Sequence, residues 1–255
     1  MIDLHSHILP GLDDGPEELD GSIAIAREAA ANGVTAIAAT PHVRDDFPTT
    51  SHSMMAAVAQ LRGALRDARI DVDLLPGAEV AFDRLRHLGL DELRSFGLGG
   101  SAQYLLVELP FFGWPLDIAD QVSSLREAGF TTVLAHPERN LALQESPARL
   151  VDLVRSGVLV QATAGSLVGN FGTSASRTAK QLVESGLVHL LATDTHKAGG
   201  SRSAFSGVVT AIGDPALMHW LTTDVPAAIV AGTRLPDRPS AALSWRRVGR
   251  RRSST

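Results

Sequence analysis

The chain has 255 residues, of which 44% are hydrophobic and 20% charged, and its formal net charge is −5. This composition is typical of a globular protein, and the net negative charge predicts no general affinity for nucleic acid or anionic membranes. The absence of cysteine excludes a disulfide framework, a thiolate metal site and a cysteine nucleophile.

The length suits one α/β barrel domain, which we expect over residues 1–240. Residues 241–255 carry clustered arginines and few apolar side chains, so we expect a disordered tail, with docking to an acidic partner as the alternative. No secretory signal is visible at the N-terminus, and no apolar run is long enough to span a bilayer. We therefore expect a cytoplasmic enzyme that is not a membrane protein.

Apolar β-type segments alternate with helical patterns along the chain. Strands are predicted at residues 2–8, 34–40, 72–75, 104–107, 132–135, 158–163 and 188–192. Helices are predicted at residues 16–31, 54–68, 118–128, 147–155 and 174–184, with short helices within 203–229. This alternation predicts a parallel α/β sheet with right-handed crossovers, and seven apolar strands favour a distorted TIM-like (β/α)7 barrel over an open sheet.

Histidines and carboxylates follow these strands where each strand ends. The candidate metal ligands are His5, His7, Asp14, His42, Glu79, Glu108, His136, Asp194 and His196. His5 and His7 alternate on the first strand and therefore point to the same side. Each residue alone has an ordinary alternative, as a surface histidine, a satisfied core histidine or a helix cap. Because the carboxyl ends of barrel strands meet at one rim, six such strand ends predict a shared metal centre, to which the sixth strand contributes no ligand.

The number and type of these ligands indicate several ions. A catalytic ion takes about three protein ligands, so nine ligands suit two or three divalent ions. Imidazoles and carboxylates without sulfur favour Mn²⁺, Fe²⁺ or Zn²⁺ over Ca²⁺. Three divalent ions against four carboxylates leave a surplus of about two positive charges, which matches a phosphate dianion. Arg139 and Arg202 are candidates to grip phosphate oxygens, with a solvated surface arginine as the alternative for each.

Together these motifs resemble the PHP (polymerase and histidinol phosphatase) superfamily, and more closely its bacterial protein-tyrosine phosphatases encoded with capsule and exopolysaccharide genes. The matching stretches are residues 2–8 (Ile-Asp-Leu-His-Ser-His-Ile), 12–16 (Leu-Asp-Asp-Gly-Pro), 40–42 (Thr-Pro-His), 77–79 (Gly-Ala-Glu), 107–108 (Val-Glu), 135–139 (Ala-His-Pro-Glu-Arg) and 193–196 (Thr-Asp-Thr-His). The resemblance runs in order from the start of the chain to about residue 233.

The resemblance implies a PHP-type barrel with three divalent ions, Mn²⁺ first and Fe²⁺ or Zn²⁺ as alternatives. The implied ligand sets are His5, His7, Glu79 and Asp194 for one ion, Glu79, Glu108 and His136 for a second, and Asp14, His42 and His196 for the third. Arg139 and Arg202 would hold the phosphoryl group. Two departures stand out: residues 160–164 carry Ala and Thr where related sequences often carry Asn, and the loop at 197–202 is slightly longer than usual.

The expected activity is hydrolysis of phosphotyrosine by a metal-bridging hydroxide, since no cysteine can form a phosphoenzyme. The implied partner is a phosphotyrosyl protein, a membrane-anchored bacterial tyrosine kinase of exopolysaccharide or capsule synthesis. The alternatives are a PHP phosphatase of a small metabolite such as histidinol phosphate, a different metallohydrolase such as an amidohydrolase, and a non-catalytic regulatory module. The aromatic segment at residues 110–115 either lines a slot for the phosphotyrosine ring or anchors the next helix.

Overall fold

Nine parallel strands form the centre of the molecule. The computed structural model describes residues 1–199, 205 and 207–239. The strands are β1 (Ile2–Ser6), β2 (Ala36–Ala39), β3 (His42–Val43), β4 (Asp73–Pro76), β5 (Glu79–Ala81), β6 (Tyr104–Glu108), β7 (Thr131–Ala135), β8 (Leu159–Thr163) and β9 (Leu190–Ala192). They pair in the orders β1-β2-β4 and β3-β5-β6-β7-β8-β9.

The two sheets join into a closed, distorted barrel. At one seam, β2 leads through Pro41 into β3, and the amide of Glu79 donates to the carbonyl of Pro41 at 3.1 Å. At the other seam, the amide of His7 donates to Thr195 O and the amide of Asp194 donates to His5 O, both at 2.9 Å. These bonds connect the first strand to the end of the last one, so the predicted barrel is confirmed.

Helices connect most of the successive strands. They are α1 (Leu19–Ala31), α2 (Ser51–Asp67), α3 (Leu90–Ser95), α4 (Ile118–Glu127), α5 (Leu141–Glu145), α6 (Arg149–Arg155), α7 (Ala164–Leu167), α8 (Thr173–Glu184), α9 (Val208–Ile212), α10 (Pro215–His219) and α11 (Val225–Ala231). Every residue of β6 and β8 is buried, because their side chains fill the barrel on one face and pack against the surrounding elements on the other. In the described part of the chain, no helix is long and apolar enough to cross a membrane.

All seven predicted strand positions are occupied, but two of them are divided. The second strand breaks at Thr40-Pro41 into β2 and β3, and the third breaks at Gly77-Ala78 into β4 and β5. Proline lacks the amide hydrogen that a strand ladder requires, which explains the first break. β3, β5 and α3 lie outside the predicted elements, because each is too short to show a periodicity.

Two predictions fall outside the described residues. Arg202 lies in the gap before residue 205, and the basic tail begins after residue 239. The predicted domain boundary at residue 240 therefore stays a prediction.

Candidate metal centre

The first strand delivers two histidines to the barrel mouth. The Nε2 atoms of His5 and His7 lie 3.3 Å apart, and both side chains are fully buried. The carboxylate of Asp194 lies opposite them, with Oδ1 at 3.3 Å from His5 Nε2 and 3.2 Å from His7 Nε2. The prediction that the two imidazoles point the same way is therefore confirmed.

Two of the candidate ligands adopt left-handed backbone conformations. His136 has φ of 30° and Asp194 has φ of 54°, a region that favours glycine. Such a conformation costs about 1–3 kcal/mol and persists where the surrounding structure enforces it. His136 is the first residue after β7, and Asp194 is the second residue after β9. The turn at each position directs the side chain into the barrel mouth.

Glu79 lies at the middle of the cluster and is fully buried. Its Oε1 is 2.8 Å from His136 Nε2, and its Oε2 is 2.9 Å from His42 Nδ1. His42 Nδ1 is also 3.8 Å from Oε2 of Glu108 at the end of β6. Each oxygen of Glu79 thus faces a different imidazole, an arrangement that allows this carboxylate to bridge two ions.

Asp14 completes the cluster on its solvent side. Its Oδ1 lies 3.3 Å from His196 Nε2, 3.6 Å from His42 Nε2 and 4.0 Å from His7 Nδ1. Four subsets of the nine residues have ligand atoms within 4.8 Å of one another: His7, Asp14, His42 and His196; His5, Glu79 and His136; His5, His7 and Asp194; and His42, Glu79 and Glu108. The structure therefore brings together all nine residues that the sequence selected.

The donor set of this cluster fits divalent cations. His42 Nδ1 and Glu79 Oε2 face each other at 2.9 Å, and Asp194 Oδ1 lies 3.2 Å from His7 Nε2, but these three buried atoms make no hydrogen bond of good geometry within the described residues. Buried polar atoms are rarely left in this state, because each one costs about 1–3 kcal/mol. His42 and Glu79 belong to one close grouping of candidate ligands and Asp194 to another, so a cation at each grouping would satisfy these atoms. Nitrogen and carboxylate oxygen donors without sulfur suit Mn²⁺, Fe²⁺ and Zn²⁺.

Charges inside the cluster shift the acid-base properties of its members. Burial works against ionisation of Glu79, but the neighbouring imidazoles of His5 and His136 hold the pKa of Glu79 well below its usual range. Burial and the charge of Glu79 raise the pKa of Glu108 to about 7. Against the opposing effect of burial, the hydrogen bond to Asp13 and the close carboxylates of Asp194 and Glu79 raise the pKa of His7 well above its ordinary value. The cluster thus holds protons that a cation would have to displace.

Arg139 reaches into the same centre. Its Nη2 lies 2.5 Å from Asp194 Oδ2 and donates to Thr163 Oγ1 at 2.9 Å, and its guanidinium lies 3.8 Å from the ring centroid of Phe171. These contacts fix the guanidinium beside the candidate ligands, and its grip on phosphate oxygens stays a prediction. Arg202 lies outside the described residues.

Two positioning residues were missed by the sequence analysis. Asp13 Oδ2 accepts from His7 Nδ1 at 2.7 Å and from the amide of His42 at 3.0 Å. Gln161 Oε1, on β8, accepts from His5 Nδ1 at 2.9 Å. The strand that contributes no ligand therefore orients one. Adjacency to Asp14 was a usable signal for Asp13, whereas a lone glutamine on an apolar strand gave no signal.

The aromatic segment after β6 is anchored beside the centre. The side chain of Asn140 donates to the carbonyls of Pro110 at 2.7 Å and Gly113 at 2.8 Å. Phe111 lies next to His136, with ring centroids 6.5 Å apart. The backbone of the segment is anchored and one of its rings borders the cluster, but the segment is largely exposed and not a buried loop, and the slot for a phosphotyrosine ring stays a prediction.

The fold and the site together define a class of protein. Its members are parallel α/β barrels with a cluster of histidines and carboxylates at the barrel mouth that suits more than one metal ion. The chain belongs to the family described as "Capsular polysaccharide synthesis, CpsB/CapC", whose sequence model matches residues 1–211. The resemblance to capsule-type PHP tyrosine phosphatases is thereby confirmed.

Individual relatives agree with this membership. The tyrosine-protein phosphatase YwqE of Bacillus subtilis is 36% identical over 197 residues, which cover 77% of each chain. The tyrosine-protein phosphatase CpsB of Streptococcus pneumoniae is 29% identical, over 77% of this chain and 83% of that protein. A solved structure described as one of the "unique metal-dependent tyrosine phosphatases" YwqE and CpsB superimposes with a TM-score of 0.83 at 30% identity, covering 94% of this chain and 99% of that one.

A more distant likeness concerns the fold alone. A β-aspartyl dipeptidase from Fervidobacterium islandicum superimposes with a TM-score of 0.55 at 14% identity, over 90% of this chain and 74% of that one. The amidohydrolase alternative gains no support from it, because a likeness at this level of identity carries no information on the reaction.

Proposed function

We propose that this chain is a metal-dependent protein-tyrosine phosphatase. The observation that carries the proposal is the convergence of nine histidine and carboxylate side chains at one barrel mouth, where they form four groupings with ligand atoms within 4.8 Å of one another. Membership in the CpsB/CapC family, and relatives that are named tyrosine-protein phosphatases, support the choice of reaction.

The proposed ligands fall into three sets. They are His5, His7, Glu79 and Asp194; Glu79, Glu108 and His136; and Asp14, His42 and His196. The first set is supported by the close grouping of His5, His7 and Asp194, and the third by the grouping of Asp14, His42 and His196 with His7. For the second set, Glu108 and His136 each group with Glu79 but not with each other. The ions, with Mn²⁺ preferred and Fe²⁺ or Zn²⁺ as alternatives, would supply Lewis acidity toward the phosphoryl oxygens and an activated water at neutral pH.

The chain's own residues would orient the substrate. Arg139 Nε is buried and has no hydrogen-bond partner among the described residues, while Nη2 is already held by Asp194 and Thr163. A guanidinium fixed in this way can donate its remaining hydrogens to phosphoryl oxygens without losing further side-chain freedom. Arg202 is proposed as a second grip on the sequence pattern alone. A phenolate leaves readily, so phosphotyrosine needs less help from a general acid than an alkyl ester does.

Metal content and activity test this proposal together. Elemental analysis of the purified chain should find divalent metal, and a chelator should abolish phosphate release from a phosphotyrosyl peptide. Glu79→Gln should lose most of both metal and activity, because it removes the central charge of the cluster. Glu92→Gln, at an exposed position on α3, is the matched control and should lose neither.

Two outcomes would separate the proposal from its alternatives. Faster hydrolysis of histidinol phosphate than of the peptide would favour the small-metabolite phosphatase. A metal-replete chain that releases phosphate from no ester would leave a regulatory binding module.

The proposed physiological substrate is a phosphotyrosyl protein of capsule or exopolysaccharide synthesis, with a membrane-anchored bacterial tyrosine kinase as the candidate. The family description supports the pathway. A cytoplasmic location belongs to the same proposal, because such a kinase uses cytoplasmic ATP. Loss of phosphotyrosine from the isolated kinase, on addition of wild-type chain but not of Glu79→Gln, is the expected result.

A further inference from the structure

One cleft adjoins the candidate metal centre, and a second cleft lies next to the first. The first, here the ring cleft, has a volume of about 340 Å³ and is lined among others by Arg44, Phe82, Glu108 and Phe111. The second, here the flank cleft, has a volume of about 440 Å³ and is lined among others by Phe82, Phe112 and Trp114. They share Phe82, Asp83 and Pro110, so they form one continuous depression.

The ring cleft begins at the cluster itself. Glu108, a candidate ligand, forms part of its wall, and Phe111 stands beside another candidate ligand, with its ring within 5° of parallel to that of His136. Only one oxygen joins the phosphorus and the ring of an aryl phosphate, so a ring whose phosphate lies at the cluster must lie directly beside it. The cleft has room, since an apolar cavity of about 150 Å³ already holds benzene.

The flank cleft presents apolar surface to solvent. Phe112 is 77% exposed, whereas Trp114 is partly buried and forms a wall, and the exposed Leu116 follows in the same loop outside the cleft lining. Large apolar side chains grouped in this way mark sites of contact with another molecule.

These exposed rings sit on a fixed backbone. Asn140 holds Pro110 and Gly113 through two side-chain hydrogen bonds, and the amide of Leu141 donates to Phe111 O at 3.0 Å. A surface that is already ordered gains affinity, because less conformational freedom is lost on binding. The anchoring residue follows Arg139 directly, so the clefts and the phosphate grip share one loop.

Several charged groups around the two clefts are paired, including Asp45 with Arg84, while Asp83 and Glu108 leave the wall of the ring cleft acidic. Arg44 makes a two-pronged contact with Asp46 at 2.7 and 2.8 Å, and Arg86 pairs with Asp117. The aromatic surface of the depression suits a neutral ring and a neutral apolar side chain.

We propose that the ring cleft receives the phenyl ring of phosphotyrosine and that the flank cleft receives an apolar side chain next to it in the same polypeptide. This inference rests on the proposed phosphatase function and adds that the substrate is a polypeptide with an apolar flank, not a free small phosphate. Phe111 determines recognition of the ring, and Phe112 with Trp114 determines recognition of the flank.

Kinetics of the metal-loaded chain on two substrates test the assignment. Phe112→Ala should lower kcat/KM for a phosphotyrosyl peptide with apolar flanks by about tenfold through KM, since partial burial of one aromatic side chain is worth about one decade of affinity. It should leave para-nitrophenyl phosphate unchanged. Phe111→Ala should lower kcat/KM for both substrates. Met55→Ala, on α2 and outside both clefts, removes a similarly exposed side chain and should change neither.

A peptide with glycine flanks completes the cycle. For the wild-type chain, kcat/KM on this peptide should be about tenfold lower than on the peptide with apolar flanks. Phe112→Ala should not lower kcat/KM on the glycine-flanked peptide further, because the two changes remove one shared contact. Trp114→Leu, which keeps an apolar wall, should show the same substrate selectivity with a smaller loss.

If the ratio of kcat/KM for the peptide to kcat/KM for para-nitrophenyl phosphate were unchanged in both flank variants, the inference would be overturned. The phosphatase assignment would still stand. Wild-type chain that hydrolyses neither substrate would instead contradict the proposed function.

Discussion

Asp13→Asn tests whether the metal centre depends on an acid that is not itself a proposed ligand. The Asp13 side chain is fully buried and its Oδ2 accepts from His7 Nδ1 at 2.7 Å and from the His42 amide at 3.0 Å, while Oδ1 accepts from the Gly15 amide at 3.0 Å. Donation from His7 Nδ1 leaves its Nε2, which faces Asp194, free to bind a cation. Asparagine keeps the shape but has one acceptor oxygen and no charge.

The expected loss follows from this geometry. A hydrogen bond to a charged group contributes about 1.5–3 kcal/mol, and each 1.4 kcal/mol is about a factor of ten in affinity. We therefore expect metal affinity to fall by about 10- to 100-fold, the range seen for residues that orient metal ligands. Asp13 also raises the pKa of His7 and so favours the competing proton, which makes the loss larger at high pH than at low pH.

Titration of the metal-free chain with Mn²⁺ against a competing chelator, at about pH 7 and about pH 8.5, measures this loss. Asp20→Asn, an exposed acid at the start of α1, is the control and should bind as wild type does. Thermal melting of the metal-free forms shows whether the variant is folded. Wild-type affinity at both pH values in a folded Asp13→Asn variant would refute the orienting role.

Three further predictions concern the same centre. Gly15→Ala should abolish metal loading, as measured by elemental analysis, because the new Cβ would lie 2.2 Å from the carbonyl oxygen of His7. The control Gly63→Ala places its Cβ no closer than 4.0 Å to any atom outside its own helix backbone, and should stabilise α2 by about 0.5–1 kcal/mol. Arg139→Lys should lower kcat/KM more than tenfold while metal content is retained, because an ammonium group cannot make the several directed contacts of a guanidinium. The control Arg155→Lys, at an exposed position, should leave kcat/KM unchanged. Equal kcat/KM in the two variants would contradict the role of Arg139 in holding phosphate. In the metal-free chain, the raised pKa of His7 contributes stability that is complete below about pH 6.5 and is lost as the pH rises through the raised pKa. The increase in melting temperature on addition of Mn²⁺ should therefore grow with pH. An increase that is the same at every pH would contradict this prediction.

The sequence determined which residues could bind metal and where along the chain they fall. Residue chemistry is local: His5 and His7 follow the alternation of one strand, and Glu108 and His136 follow apolar runs that only a buried strand would carry. The ends of parallel strands share a rim in any barrel, so convergence could be inferred without coordinates.

Distances and orientations needed the folded chain. The closing bonds between the first and last strands, the two contacts of Glu79 and the hydrogen bond from His5 to Gln161 join residues far apart in sequence. The left-handed backbone at His136 could not be predicted from the sequence, because glycine is the usual residue in that conformation and this position is a histidine.

Pattern and composition thus defined the fold class and the candidate ligands, because hydrophobic period and donor chemistry belong to single segments. Tertiary structure alone decided which candidate ligands lie close together, which neighbours orient them and which aromatic cleft adjoins them. Those features depend on register and closure, which are set by the packing of all the strands at once.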